Sequence, residues 1–213
     1  MPHRTEIPRI TWHGPLFGPS GYAEVSRNVV AGLMKLEIPV RLQPVWGDAP
    51  ASRAERREPG LFEAEIDGFH RYLKIDTPID PAFRDRLLKA TFRPAGGVHI
   101  ILHPPADSKG LDFYDLSRRL APMHVARVGY TMFETDRIPA AWVPCLNRMD
   151  EVWVPTTFGR DVFITCGVDP DRIRVMPFPA DPDVYHPGAA PLSIGAPAGF
   201  TFLSIFEWTK RKG

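Results

Sequence analysis

The stretch Asp150–Pro187, DEVWVPTTFGRDVFITCGVDPDRIRVMPFPADPDVYHP, decides the fold. Glu151 to Pro155 is a short apolar run closed by a proline and reads as a buried strand. Phe158 to Cys166 has helical spacing, and Ile173 to Phe178 returns to a short apolar run. Two strands separated by one helix, with no tight hairpin turn between them, join most simply as parallel neighbours in one sheet.

The same alternation continues outward. Going upstream, Pro139 to Met149 reads as a helix, Val125 to Phe133 as a strand, Asp112 to Leu120 as a helix and Gly97 to His103 (GVHIILH) as a buried strand. Pro81 to Ala90 is a helix with proline in its first turn. Near the amino terminus Arg9 to His13 is a strand. A helix then follows whose apolar face is Val25, Val29, Leu33 and Leu36 and whose cap is Ser20; Pro39 stops it, and Val40 to Trp46 is the next strand. Gly47 to Gly60 is polar and charged and reads as a surface loop, with a strand around Arg71 to Ile75. The 24 prolines fall mostly at the edges of the apolar runs, where they mark loops. The expectation is an α/β fold, a Rossmann-like parallel sheet with helices on both faces.

Composition narrows the function. With 26 basic against 25 acidic residues there is no cationic stripe to serve as a nucleic-acid groove. Cys145 and Cys166 form neither a C-x-x-C pair nor a ligand cluster, so no metal site or disulfide framework is expected, and a cytoplasmic location fits. No apolar run reaches the length of a membrane span, which leaves peripheral membrane contact open.

In an open parallel sheet ligands bind beyond the carboxyl ends of the strands, so the residues there are the candidates. After the first strand come Gly14, Gly18, Gly21 and Tyr22, a spacing that lets backbone amides approach a phosphate and that also makes an ordinary turn. His103 ends its strand before two prolines, where its ring is expected at the edge of the sheet, as a hydrogen-bond donor, a proton acceptor or a structural group. Glu134, Thr135 and Asp136 gather two carboxylates and a hydroxyl at the next strand end; Asp136 also suits a cap for the helix that follows. Thr156 opens a helix, and capping accounts for its hydroxyl equally well.

The order of motifs in Asp150–Pro187 resembles the family-four glycosyltransferases of the GT-B, two-Rossmann-domain architecture. The matching features are an Asp before an apolar strand, a Thr-rich helix start, Gly167-Val168, a charged turn, an apolar strand, and Asp183-Val184-Tyr185-His186-Pro187. Phe200 to Phe206 with Trp208-Thr209-Lys210-Arg211-Lys212-Gly213 is similar to the opening of that family's donor domain. Where many members carry His-Asp after the strand, this chain has Glu134, Thr135 and Asp136. The donor-domain Gly-Arg is replaced by Phe206-Glu207, leaving Lys212 as the matching cation with Lys210 and Arg211 as substitutes.

The resemblance implies retaining transfer of a hexosyl group from a nucleoside-diphosphate sugar to the hydroxyl of a glycan or lipid-linked acceptor, with no separate cofactor and no metal. For this transfer the strand-end residues Glu134 and His103 are the expected catalytic residues, Glu134 standing where the family's pattern is departed from. Gly14, Gly21, Tyr22, Thr135, Asp136, Thr156 and Lys212 would bind donor or substrate. The expected organisation is an amino-terminal acceptor-side domain over residues 1–187, a linker over 188–199, and over 200–213 the first strand of a donor-binding domain, so that the fragment alone is inactive. A sugar-nucleotide epimerase of similar fold and a non-catalytic glycan- or protein-binding module are the alternatives. A nicotinamide-dependent oxidoreductase ranks below both, since the first loop lacks G-x-G-x-x-G.

Overall fold

Ile10–Gly14 forms the first strand (β1), and Ser20 then caps helix α1, Gly21–Lys35, its side chain accepting from the Ala23 amide at 3.2 Å. A cap of this kind contributes about 1 kcal/mol. The computed structural model describes residues 9–44, 61–66, 69–75, 77–94, 96–107, 111–115 and 126–190, with positions 195, 200, 202 and 204. Along it follow β2 (Val40–Pro44), β3 (Leu61–Ile66), β4 (Phe69–Lys74), α2 (Pro81–Thr91), β5 (Val98–Leu102) and β6 (Ala126–Tyr130). Helix α3 (Trp142–Leu146), β7 (Glu151–Val154), α4 (Thr157–Thr165) and β8 (Ile173–Val175) complete the order.

Six strands form one parallel sheet in the order β2-β1-β5-β6-β7-β8. With its helices, this is the Rossmann-like α/β fold the alternation predicts. Registered neighbours share a face, so Trp12, Leu42, Ile100 and Val128 line up on one side and pack with Val30 of α1. Ile101, Val152 and Val154 point the other way, into a second cluster with Trp142, Leu146, Met149 and Phe163. Each such buried side chain contributes about 1.5–3 kcal/mol, so the two clusters hold the sheet from both faces.

The opposite face of β2, β1 and β5 is polar instead. Thr11, His13, Arg41, Gln43 and His99 are all buried there in register. His13 Nε2 lies 2.9 Å from His99 Nδ1, and Arg41 reaches the Arg93 carbonyl at 2.7 Å. Burial first, then the neighbouring His99 and the Arg41 charge, holds the His13 ring neutral down to about pH 3.

Three expected elements differ. Instead of one strand near Arg71–Ile75 there is an antiparallel hairpin, β3 with β4, in register from Leu61↔Lys74 to Ile66↔Phe69. Helix α3 covers five residues rather than Pro139 to Met149, because Pro139 and Pro144 have no amide to donate and the helix cannot be closed from its start. Strand β8 ends at Val175; Met176 makes one last bond to the Val154 carbonyl at 2.8 Å, and Pro177 and Pro179 then cannot donate.

Of the helix expected over Asp112 to Leu120, residues 113–115 are helical and 116–120 lie outside the described residues, as does the whole of the Gly47 to Gly60 loop. The chain divides into Met1–Ala180, which holds every element above, and Asp181–Gly213. In the second unit Asp181 organises a turn, accepting from the amides of Asp183 and Tyr185. Of the strand expected at Phe200 to Phe206, positions 200, 202 and 204 are described and none is in a strand. Phe200 and Phe202 meet edge to face at 5.0 Å.

Candidate functional site

The strand order reverses direction between β1 and β5. After β1 the chain returns through α1 to β2 on one side; after β5 it steps through β6, β7 and β8 on the other. The crevice beyond the carboxyl ends of these two strands is where a doubly wound sheet takes its ligand. Gly14 and Leu102 are the strand ends that border it.

The first loop is held from inside. Leu16 and Phe17 are buried, and the buried Arg27 of α1 donates to the carbonyls of Leu16 at 2.8 Å and Gly18 at 3.0 Å while pairing with Glu24 at 2.5 Å. Gly14 is tightly packed: a Cβ there would stand 3.0 Å from both Ser26 Oγ and Trp12 Nε1, which would have to give way slightly. Gly21 meets nothing within 4 Å, so no neighbour demands glycine at that helix start.

Around the crevice three hydroxyl side chains converge. Tyr22, the second residue of α1, has its phenol in reach of Thr131 and the Met132 backbone and within the field of the Glu134 charge. Burial raises its pKa above the usual phenol value, polar contact with Thr131 and Met132 opposes that, and the Glu134 charge adds to it, so the hydroxyl remains a donor at neutral pH. Tyr114, fully buried, donates to the His103 carbonyl at 3.2 Å and stands beside Thr131 and Tyr22; burial holds its pKa well above 10. Thr131, also fully buried, has its Oγ1 near both phenols without a well-aligned bond to either.

His103 sits at the end of β5, but its ring does not emerge there as expected: the residue is 4% exposed. The ring packs on Phe113 at 4.2 Å, and Nδ1 lies 2.7 Å from the Pro104 carbonyl, which can only accept, so Nδ1 carries the proton. Burial lowers its pKa, against the Pro104 contact, and the ring is neutral at pH 7.

Glu134, Thr135 and Asp136 are exposed at a bend after β6, with Thr135 donating to the Arg137 carbonyl at 2.8 Å. Asp136 does not cap the next helix, because that helix begins at Trp142 with Ala141 at the cap position and no side-chain bond. Thr156 does cap α4, accepting from the Gly159 amide at 3.0 Å, and β7 ends two strands away from β5. Lys212 lies outside the described residues.

The crevice thus brings together the first loop, Tyr22 and Glu134, with His103 beneath, and leaves Thr156 apart. Arg27, Tyr114 and Thr131 were not singled out from the sequence. Thr131 lay inside the run expected as strand, though the end of β6 at Tyr130 makes it a strand-end residue like the others. Among the described residues no three His, Cys, Asp or Glu side chains gather as they would around a metal ion, and no helix is long and apolar enough to cross a membrane.

No protein-family model matches the chain, and no curated protein matches it. Solved structures that are similar include Anabaena Alr3699/HepE in complex with UDP and glucose, and the same protein in complex with UDP-glucose. Each is 10% identical with a TM-score of 0.42, over 84% of this chain and 46% of that one. The chain therefore spans about half the length of the solved chains it matches. At that identity and score the assignment of the fold rests on the strand order itself, a parallel sheet wound both ways from β1 and β5.

Proposed function

We propose that the chain is the acceptor-side domain of a two-domain glycosyltransferase that moves a hexosyl group from a nucleoside-diphosphate sugar to an acceptor hydroxyl with retention. The observation that carries this reading is the convergence of Tyr22, Thr131, Tyr114 and Glu134 at the switch point of the sheet. The neutral phenol of Tyr22, which is only partly buried and can donate, beside the exposed Glu134 carboxylate, which accepts, suits the donors and acceptors of a sugar's hydroxyl groups, while Tyr114, spent on the His103 carbonyl, holds the crevice from within.

In this reading Glu134 accepts from the acceptor hydroxyl or stabilises the positive charge that grows on the reacting sugar carbon. His103, neutral and tied to the Pro104 carbonyl, supports the reacting side from beneath. Gly14, Gly21 and Tyr22 line the donor-phosphate side, with Thr135 and Asp136 reaching the substrate; Thr156, two strands away, would meet only a substrate that extends beyond the crevice. The departing diphosphate gathers negative charge in the transition state and needs a cation. Lys212, with Lys210 and Arg211, supplies it from the start of a donor-binding domain over residues 200–213, beyond a linker at 188–199.

No cofactor or metal enters this scheme, which runs on a nucleotide sugar and a glycan or lipid-linked acceptor at the cytoplasmic side. The test is product analysis with the full-length protein and its Glu134→Gln variant. Glycosylated acceptor whose yield falls strongly in the variant supports the reading. Near-normal transfer by the variant removes Glu134 from the chemistry, epimerised free sugar nucleotide replaces the transferase with an epimerase, and tight glycan binding without turnover leaves a binding module.

A further inference from the structure

At the foot of the sheet, the end opposite the crevice, lies a cavity of about 460 Å³ between the end of α1 and helix α2. Its lining combines the apolar Met34, Ile38 and Pro39 with the charged Glu37, Arg86, Lys89 and Arg93. That volume falls in the range of small-molecule sites.

Arg86, Lys89 and Arg93 recur at three- and four-residue spacing, so they form one stripe along α2 and past its end. Like charges in such a stripe oppose helix formation. The helix dipole accounts for Lys89, which stands in the last turn, but not for Arg86, which stands at mid-helix. Arg93 spends one guanidinium nitrogen on the Val40 carbonyl at 3.1 Å, which fixes it at the cavity wall. No salt bridge among the described residues engages Arg86 or Lys89. The Arg86 guanidinium rests 5.4 Å from the Phe83 ring and keeps its donors available.

A second observation concerns Glu37. It is the non-glycine residue with positive φ, 58°, among the described residues, a backbone state that favours glycine and strains a longer side chain. Glycine is the usual occupant of this position after a helix, yet here an acidic residue stands in the lining together with three cations. It is the one acidic group in the lining and limits the cavity to a net charge of +2.

We propose that this cavity is an anion-binding site for a phosphate group carried by a partly apolar molecule, separate from the crevice and independent of the function proposed for it. Arg86 and Lys89 donate to the phosphate oxygens, Arg93 closes one side, and Met34, Ile38 and Pro39 take the adjoining apolar part. Leu36, 70% exposed, and Phe92, 40% exposed, are the sequence neighbours of Glu37 and Arg93. The chemistry is shared by a soluble phosphorylated metabolite and a phospholipid headgroup.

The test uses the whole chain with two probes at low salt: inorganic pyrophosphate by calorimetry, and phosphatidylglycerol–phosphatidylcholine vesicles by co-sedimentation. Binding of pyrophosphate assigns the soluble source, and binding of vesicles without pyrophosphate assigns the headgroup. In either case the double substitution Arg86→Gln with Lys89→Gln weakens binding about tenfold or more with the thermal midpoint unchanged, since both side chains are exposed. Glu37→Gly removes the opposing charge and relieves the left-handed strain, so it tightens binding and raises the midpoint together. Neither probe binding, or an equal loss in Arg160→Gln elsewhere on the surface, overturns the proposal.

Discussion

Lowering the pH from 7 to 5 should destabilise this protein through the His13–His99 pair. His13 is buried and held neutral down to about 3, whereas in the unfolded chain it takes up a proton near 6.5. The folded value is thus depressed, so the contribution is fully present above the unfolded value and is lost as pH falls from about 6.5 towards 3. Integrated over the whole interval this is roughly 5 kcal/mol, and between pH 7 and pH 5 alone about 2 kcal/mol. With a urea slope of about 2 kcal/mol per molar, the unfolding midpoint should fall by roughly 1 M across that step. Other groups also titrate there, so the assay is a difference of differences: urea unfolding at both pH values for the wild type and for His13→Gln. Glutamine places a neutral amide near the position of Nε2, 2.9 Å from His99, and does not titrate. The pH-dependent loss should shrink by about 2 kcal/mol in the variant, whatever its stability at pH 7. An equal loss in both proteins would refute the argument that burial beside Arg41 keeps this ring neutral.

Further outcomes follow from the packing. Gly129→Ala puts a Cβ 2.5 Å from the Tyr114 ring, which is fully buried and cannot retreat, so denaturant unfolding should show a loss of roughly 1–3 kcal/mol. Gly97→Ala is worse: its φ is +78° and the new Cβ would stand 1.7 Å from the Arg9 carbonyl oxygen, so little folded protein should be recovered on expression. Arg27→Met keeps the apolar stem but strands the Leu16 and Gly18 carbonyls, costing about 2 kcal/mol by thermal unfolding and raising proteolysis within residues 15–20. Tyr114→Phe removes the bond to the His103 carbonyl and should cost about 1 kcal/mol in the same measurement.

The fold was legible because its signals are local. The apolar runs around Ile10–Gly14, Val98–Leu102 and Glu151–Val154 are too short for helices and are bounded by turn residues, and all three are strands of one sheet. Ser20 and Thr156 cap the helices they precede, as their side chains predict. What stayed hidden depended on partners. The β3–β4 hairpin is the exception: Asp67-Gly68, between Ile66 and Phe69, is a tight-turn dipeptide, so that pairing could have been read from the sequence. His13, Arg41 and His99 look like polar interruptions in three separate strands until the register places them side by side on one buried face.

The crevice was legible for a different reason and failed at a different point. Strand ends in a parallel sheet can be named from sequence, and that rule names Gly14, Tyr22, His103 and Glu134 as candidates. It does not say whether a strand-end side chain turns towards the crevice or back under it, because that depends on which face the next crossover takes. His103 turned under, against Phe113, and Asp136 faced solvent instead of a helix. Tyr114 shows the same dependence. Its segment crosses on the face of Ile101 and Gly129, opposite Trp12 and α1, while Tyr22 arrives from α1 itself. The two phenols meet only over the end of β6, at Thr131. A polar cluster shared by elements from both faces of the sheet can form at a strand end and nowhere else, which is why the hydroxyl-rich centre of this crevice coincides with the point where the chain reverses its winding.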